Sequence, residues 1–230
     1  MLDSVREMKC VDIRRLILIS AASAGWCMPT AVVSGSTVPV VRCPTEFGIR
    51  GSTRATPSRL SVAGALRGLV AYTNTESYLL GPSGMRCFGI AAVDGGSQVI
   101  VWPQGHERPG FHSHSLGLTL TLDPACVSCK AGDACPFFPS IARQLGFPCA
   151  SGVPNGERVY RDRSNLAFFE DFPGTAGSGW PSGGPYPANG LVGYTGNAFN
   201  GKVYRSTCTL QASQHSICTA SLNDVIRRYG

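Results

Sequence analysis

Charge is scarce in this 230-residue chain: Asp, Glu, Lys and Arg together make 15%, and lysine is nearly missing, with three Lys against seventeen Arg. Sustained heptads, collagen triplets and tandem repeats are absent, which excludes a coiled coil, a fibrous protein and a solenoid. Several catalytic fingerprints are also missing. No Gly-x-Ser-x-Gly pentapeptide supplies the glycine-flanked turn that exposes a serine nucleophile. Neither HExxH, a Gly-x-x-x-x-Gly-Lys-Ser/Thr phosphate loop nor a dinucleotide fingerprint opening a helix occurs, and no cofactor is expected. Glu170 and Asp171 are adjacent in a strand-like run. Their side chains are therefore expected on opposite faces, unable to act together on one glycosidic bond. A basic stripe interleaved with stacking aromatics is missing too, and nucleic acid is not an expected partner.

What is present is 43% hydrophobic residues, 28 Gly, 16 Pro and 10 Cys, with a formal charge of +6. That hydrophobic fraction at low charge excludes a disordered chain and allows a core of ordinary size. Breakers at this density predict a loop-rich globule.

Residues 16–24, LILISAASA, form an apolar run behind Arg14 and Arg15, and Ala22-Ser23-Ala24 matches a signal-peptidase site. Asp3 and Glu7 are atypical of a leader, whereas a start at Met8 gives a basic n-region of Lys9, Arg14 and Arg15. Cleavage after Ser34 or Gly35 is the favoured alternative to cleavage after Ala24. The expected organisation is a signal peptide over 1–35, with its cut between 24 and 35, and a single secreted domain over 36–230. An uncleaved N-terminal membrane anchor over Leu16–Gly35 is the competing reading, weakened by Pro29, Thr30 and the serines. A lipoprotein reading through Cys27 is weaker, because Trp26 stands where a lipobox has a small residue.

Cys10 falls in the leader and the fate of Cys27 depends on the cut. Eight remain: Cys43, Cys87, Cys126, Cys129, Cys135, Cys149, Cys208 and Cys218. An even number at this density outside the cytoplasm predicts disulfides, up to four, of unreadable connectivity. The cluster CVSCKAGDAC, Cys126 to Cys135, holds one Cys-x-x-Cys followed by single cysteines, short of the two close pairs of a zinc ribbon. A thioredoxin-type motif would open a helix, but Lys-Ala-Gly-Asp after Cys129 reads as a turn.

Along the mature chain, residues 41–67 are the most basic stretch. Ser61–Thr73 is expected as an amphipathic helix, and Tyr78-Leu79-Leu80 as a strand ending at Gly81-Pro82. Val99–Trp102, Leu116–Leu122, Val159-Tyr160, Leu166–Phe169, Leu191–Tyr194 and Lys202–Leu210 read as further strands. Ser140–Leu145 fits a short helix, and Ser221–Arg228 a C-terminal one with a Ser or Thr cap. Pro173 to Gly190 holds 6 Gly and 4 Pro in 18 residues and is expected as one long loop. Trp180 and Tyr186 within it are candidates for an aromatic ligand contact, or for pinning the loop to its own domain. The fold class that follows is α+β: a sheet-rich single domain with few short helices, long Gly/Pro loops and disulfides.

The motifs CPTEFG (Cys43 to Gly48), LLGPSGMRC (Leu79 to Cys87), DGGSQVIVWP (Asp94 to Pro103) and GWPSGGPYPANGLVGY (Gly179 to Tyr194) carry a resemblance. Together they resemble a group of uncharacterised secreted actinobacterial proteins with a Cys-Pro-Thr start and a Gly-Pro-x-Gly-x-x-Cys segment. The resemblance implies export and an α+β globule, and it supplies neither an activity nor a catalytic residue.

His106, His112 and His114 fall in one stretch, GHERPGFHSH. A His-x-His pair on a strand points both rings to one face, as some metal sites require, but a third ligand is not evident, and exposed loop histidines without a shared role are the favoured reading. Cys43 or Cys87 with His106 or His215 is the candidate thiol–histidine pair, unless disulfides occupy the sulfur. Removal of residues 1–24 leaves a charge of +5, a modest excess compatible with an anionic cell-wall or membrane surface as partner, or simply with solubility. The expectation is a secreted or cell-envelope protein with a binding or structural role. An extracellular hydrolase with a Cys-His or His-metal site, and a membrane-anchored envelope protein, are the alternatives.

Overall fold

The computed structural model describes residues 35–46, 56–63, 67–92, 95–109, 116–123, 126–135, 137–149, 157–179 and 183–230. The leader with its cleavage points, Cys10, Cys27, His112, His114 and Trp180 lie outside the described residues.

Long apolar alternations along the chain assemble into two sheets. The larger has eight strands in the order β2 (Thr45–Glu46), β6 (Arg86–Ala91), β7 (Ser97–Trp102), β8 (Gly117–Asp123), β12 (Lys202–Thr209), β11 (Ala188–Thr195), β10 (Leu166–Asp171) and β9 (Glu157–Arg163). All its neighbours are antiparallel except β2 and β6. The smaller runs β3 (Arg59–Ala63), β1 (Gly35–Arg42), β4 (Leu69–Thr73), β5 (Tyr78–Pro82), with β1 and β4 parallel. Among the described residues three α-helices complete the α+β fold: α1 (Val127–Ala134), α2 (Pro139–Gln144) and α3 (His215–Tyr229). No helix among the described residues is long and apolar enough to cross a membrane.

Side-chain alternation divides the large sheet into two faces. Val99, Val101, Leu118, Leu120, Leu166, Leu191 and Tyr204 point to one face, where Val70, Tyr72 and Leu79 of the small sheet and Leu222 and Val225 of α3 meet them. Ala167, Phe169, Val192 and Val203 point to the other and pack against Ala131 and Ala134 of α1 and Ile141 and Ala142 of α2. β4 is buried at every position, so its sequence LVAYT reads as a continuous apolar run.

Among the described residues there are four disulfides. Cys43–Cys87 joins the end of β1 to β6, and Cys208–Cys218 joins β12 to α3. Cys135–Cys149 brackets α2, and Cys126–Cys129 closes on itself at the start of α1.

Three expectations are corrected here. Ser61–Thr73 is not a helix: it holds parts of β3 and β4, which do not pair with each other. Its apolar spacing is satisfied by neighbouring strands, and Gly68 turns the chain with φ +81°, a backbone no helix contains. Residues 127–134 after Cys126 form helix α1 where a turn was expected, because Lys130, Ala131 and Ala134 bury against the sheet. The C-terminal helix starts at His215 without a side-chain cap, not at Ser221, and the Cys208–Cys218 bridge anchors its first turn instead.

Candidate functional site

A groove of about 230 Å³ lies on the small sheet, lined by Val40 of β1, Leu60 of β3, Ala71 and Thr73 of β4, Tyr78 of β5, Thr56 and Pro57, and the turn Thr75–Ser77. The turn is wired rigidly. Asn74, 1% exposed, donates its amide to the Ile90 carbonyl (2.5 Å), the Ser97 hydroxyl (2.9 Å) and the Gln98 carbonyl (3.1 Å). Its side-chain carbonyl accepts from the Glu76 and Ser77 amides at 3.1 and 2.9 Å. Thr73 Oγ1 donates to the Ser77 carbonyl and accepts the Thr75 amide.

These bonds hold Thr75 at φ +82°, the only described residue other than glycine in the left-handed region. For a β-branched side chain that conformation costs about 1–3 kcal/mol, and it persists only where surrounding bonds over-determine it. The result is a fixed rim that offers the exposed Glu76 carboxylate beside apolar walls. Thr56 contributes a hydroxyl that is shielded from solvent and has no partner among the described residues. On the far side, Tyr78 is locked by α3: the Arg228 guanidinium sits 3.7 Å over its ring and donates to its carbonyl at 2.9 Å, while Asp224 holds Arg228. Burial pushes the Tyr78 phenol up from its ordinary range, with Arg228 pulling it back.

A second polar cluster sits on the opposite layer, under the Gly/Pro loop. Glu170 and Asp171 do face opposite sides of β10: Asp171 is buried and Glu170 half-buried. Sequence reading missed Asp171's actual neighbour, Glu157, which stands directly across from it on β9. Two carboxylates in register would ordinarily repel. Here they grip the loop, Glu157 Oε2 accepting the Ser178 amide at 2.7 Å and Asp171 Oδ2 the Gly179 amide at 2.6 Å. Arg205 donates to the Ser178 carbonyl and pairs with Asp133 of α1 at 3.4 Å. Gly177 is required, because a Cβ there would collide with the Asp171 carboxylate. The loop is thus pinned by backbone amides on carboxylates.

Burial pushes the Glu157 carboxyl above the usual glutamate range; hydrogen bonding from Ser178 opposes this, Asp171 adds to it and Arg205 subtracts. The folded state therefore holds the Glu157 proton more tightly than the unfolded chain, so this group favours folding below the ordinary glutamate pKa of about 4.3 and loses that contribution as pH rises through the raised value. Glu157→Gln keeps an acceptor for Ser178 without the charge. Urea midpoints of the variant are expected to exceed wild type at neutral pH, with the gap closing as pH falls to about 4. A gap independent of pH would contradict this.

The remaining candidates are dispersed. All eight predicted cysteines are paired, so Cys43 and Cys87 are bonded to each other and present no thiol to His106 or His215. His106 and His215 are exposed, on a turn and at the start of α3. Tyr186 is half-buried just before β11. Among the described residues no three His, Cys, Asp or Glu side chains are grouped to hold a metal ion. No protein-family model matches the chain, and no curated protein is significantly similar to it.

None of Thr56, Asn74, Thr75 or Glu76 carries a motif. The one local signal was Asn-Thr-Glu-Ser between two apolar runs, which marks a turn without marking a groove.

Proposed function

We infer that the protein is exported to the cell envelope or beyond and acts there as a binding module, with the groove at Thr75–Tyr78 as its ligand seat. The observation that carries the binding reading is the strained, over-determined Thr75 lining the same groove as a Thr56 hydroxyl that has no partner among the described residues. Strain of this kind is retained where a fixed surface is useful. Export is supported by the leader-like N-terminus, the resemblance to secreted proteins and a domain cross-linked by four disulfides, which persist in oxidising compartments.

At about 230 Å³ the groove is smaller than the roughly 300–1,000 Å³ of pockets that take drug-sized ligands, so it admits one ring-sized group of a larger molecule. Apolar walls with a carboxylate and hydroxyls at the rim suit a hydroxylated ring, such as one sugar unit of a wall polymer. In NMR titrations with a panel of mono- and disaccharides, amide shifts are expected to centre on residues 56–60 and 73–78. Glu76→Gln is expected to weaken binding about tenfold, the value of one charge-assisted hydrogen bond of about 1.5 kcal/mol. Shifts centred elsewhere, or binding indifferent to Glu76, would remove the groove from this role.

A further inference from the structure

The four bridges are not alike. Three tie separate elements and bring at least one cysteine into or against a packed core: Cys43 with Cys87, Cys135 with Cys149, and Cys208 with Cys218. The fourth, Cys126–Cys129, spans three positions along one turn of α1. That turn is already closed by the Lys130 amide on the Cys126 carbonyl at 2.9 Å, so the sulfur link restrains little that the backbone does not. Val127, Ser128 and Cys129 are exposed, which leaves the link open to an incoming thiol.

Its position also favours exchange chemistry. β8 ends at Asp123 and α1 begins at Val127, so the pair opens a helix directly after a strand. Cys126 is the N-cap residue, and its Sγ accepts the Cys129 amide at 3.2 Å. Helix N-terminal amides stabilise a thiolate, and a stabilised thiolate is a good leaving group. Lys130, 1% exposed, directs its ammonium to the Ala198, Phe199 and Gly201 carbonyls. Asp133, one turn further on, is paired with Arg205, and Asp123 is buried at the end of β8.

We propose that Cys126–Cys129 is an exchangeable redox disulfide that accepts two electrons from a dithiol, while the other three bridges serve as cross-links. One thiolate of the dithiol attacks the exposed Cys129 Sγ. The Cys126–Cys129 bond breaks, and its electron pair leaves on Cys126 Sγ. The second thiol, after losing its proton to solvent, attacks the mixed disulfide and releases Cys129 as thiolate. The partner departs as its own disulfide, and the two protein thiolates equilibrate with solvent protons.

The test uses the folded, oxidised protein treated with graded dithiothreitol and trapped with iodoacetamide. Mass spectrometry is expected to show a first species carrying two alkyl groups, on Cys126 and Cys129, formed at least about tenfold faster than reduction of any other bridge, with the circular dichroism unchanged. In a second measurement, substoichiometric protein with oxidised glutathione as terminal oxidant is expected to speed oxidation of a reduced dithiol peptide. The double variant Cys126→Ser/Cys129→Ser should fold and lose both effects. First reduction at another bridge, reduction of all four together, or turnover equal in wild type and the double variant would overturn the proposal.

Discussion

Asn74→Ala is expected to destabilise the protein by about 3–5 kcal/mol, the largest effect of any single substitution near the groove. The Asn74 amide joins the β4–β5 turn of the small sheet to β6 and β7 of the large one through Ile90, Ser97 and Gln98. Its carbonyl organises the Glu76 and Ser77 amides of the same turn. Alanine leaves several buried groups without partners, each worth about 1–3 kcal/mol, and water entering the space recovers part of that. Gly89 shows how closely the site is packed, since a Cβ there would collide with Asn74 itself. Urea denaturation measures the loss directly. With its anchor gone, Thr75 is expected to relax out of the left-handed region, and saccharide binding should fall with stability. A loss below about 1 kcal/mol would show that the turn holds itself without Asn74.

The second large effect concerns the bridge between the sheets. Replacing Cys43 and Cys87 together by serine releases a loop of sequence separation 44 from its cross-link. The chain-entropy model gives about 4 kcal/mol for a loop of that size, against about 1.5 kcal/mol for the three-residue spacing of Cys126–Cys129. Cys43 is in the main core, where β1 hands over to β2, and no other described disulfide links the small sheet to the large one. Thermal unfolding of the two double variants is expected to rank them in that order by a wide margin. Equal losses would mean that native packing, and not restriction of the unfolded chain, governs what each bridge contributes.

Much of the sheet was legible because strand alternation is local. Val99–Trp102, Leu191–Tyr194 and Lys202–Leu210 fall in β7, β11 and β12 almost as read. The 61–73 segment misled because apolar residues three and four apart fit a helix as well as two short strands, and only pairing of β3 and β4 with β1 settles the choice. The turn expected after Cys129 misled for a related reason. Lys-Ala-Gly-Asp has weak helix propensity at Gly132, and burial of Lys130 and Ala131 against the sheet overrides it.

Composition, cysteine count and local side-chain patterning are properties of the chain itself, and together they were enough to determine a disulfide-bonded, sheet-rich α+β globule. Partnership is not local. Whether Glu157 meets Asp171, which sulfur bonds to which, and that Asn74 ties two sheets all depend on strand order and register between residues up to tens of positions apart. Side-chain patterning sets which face a residue occupies, but only the packed sheets decide what stands across from it.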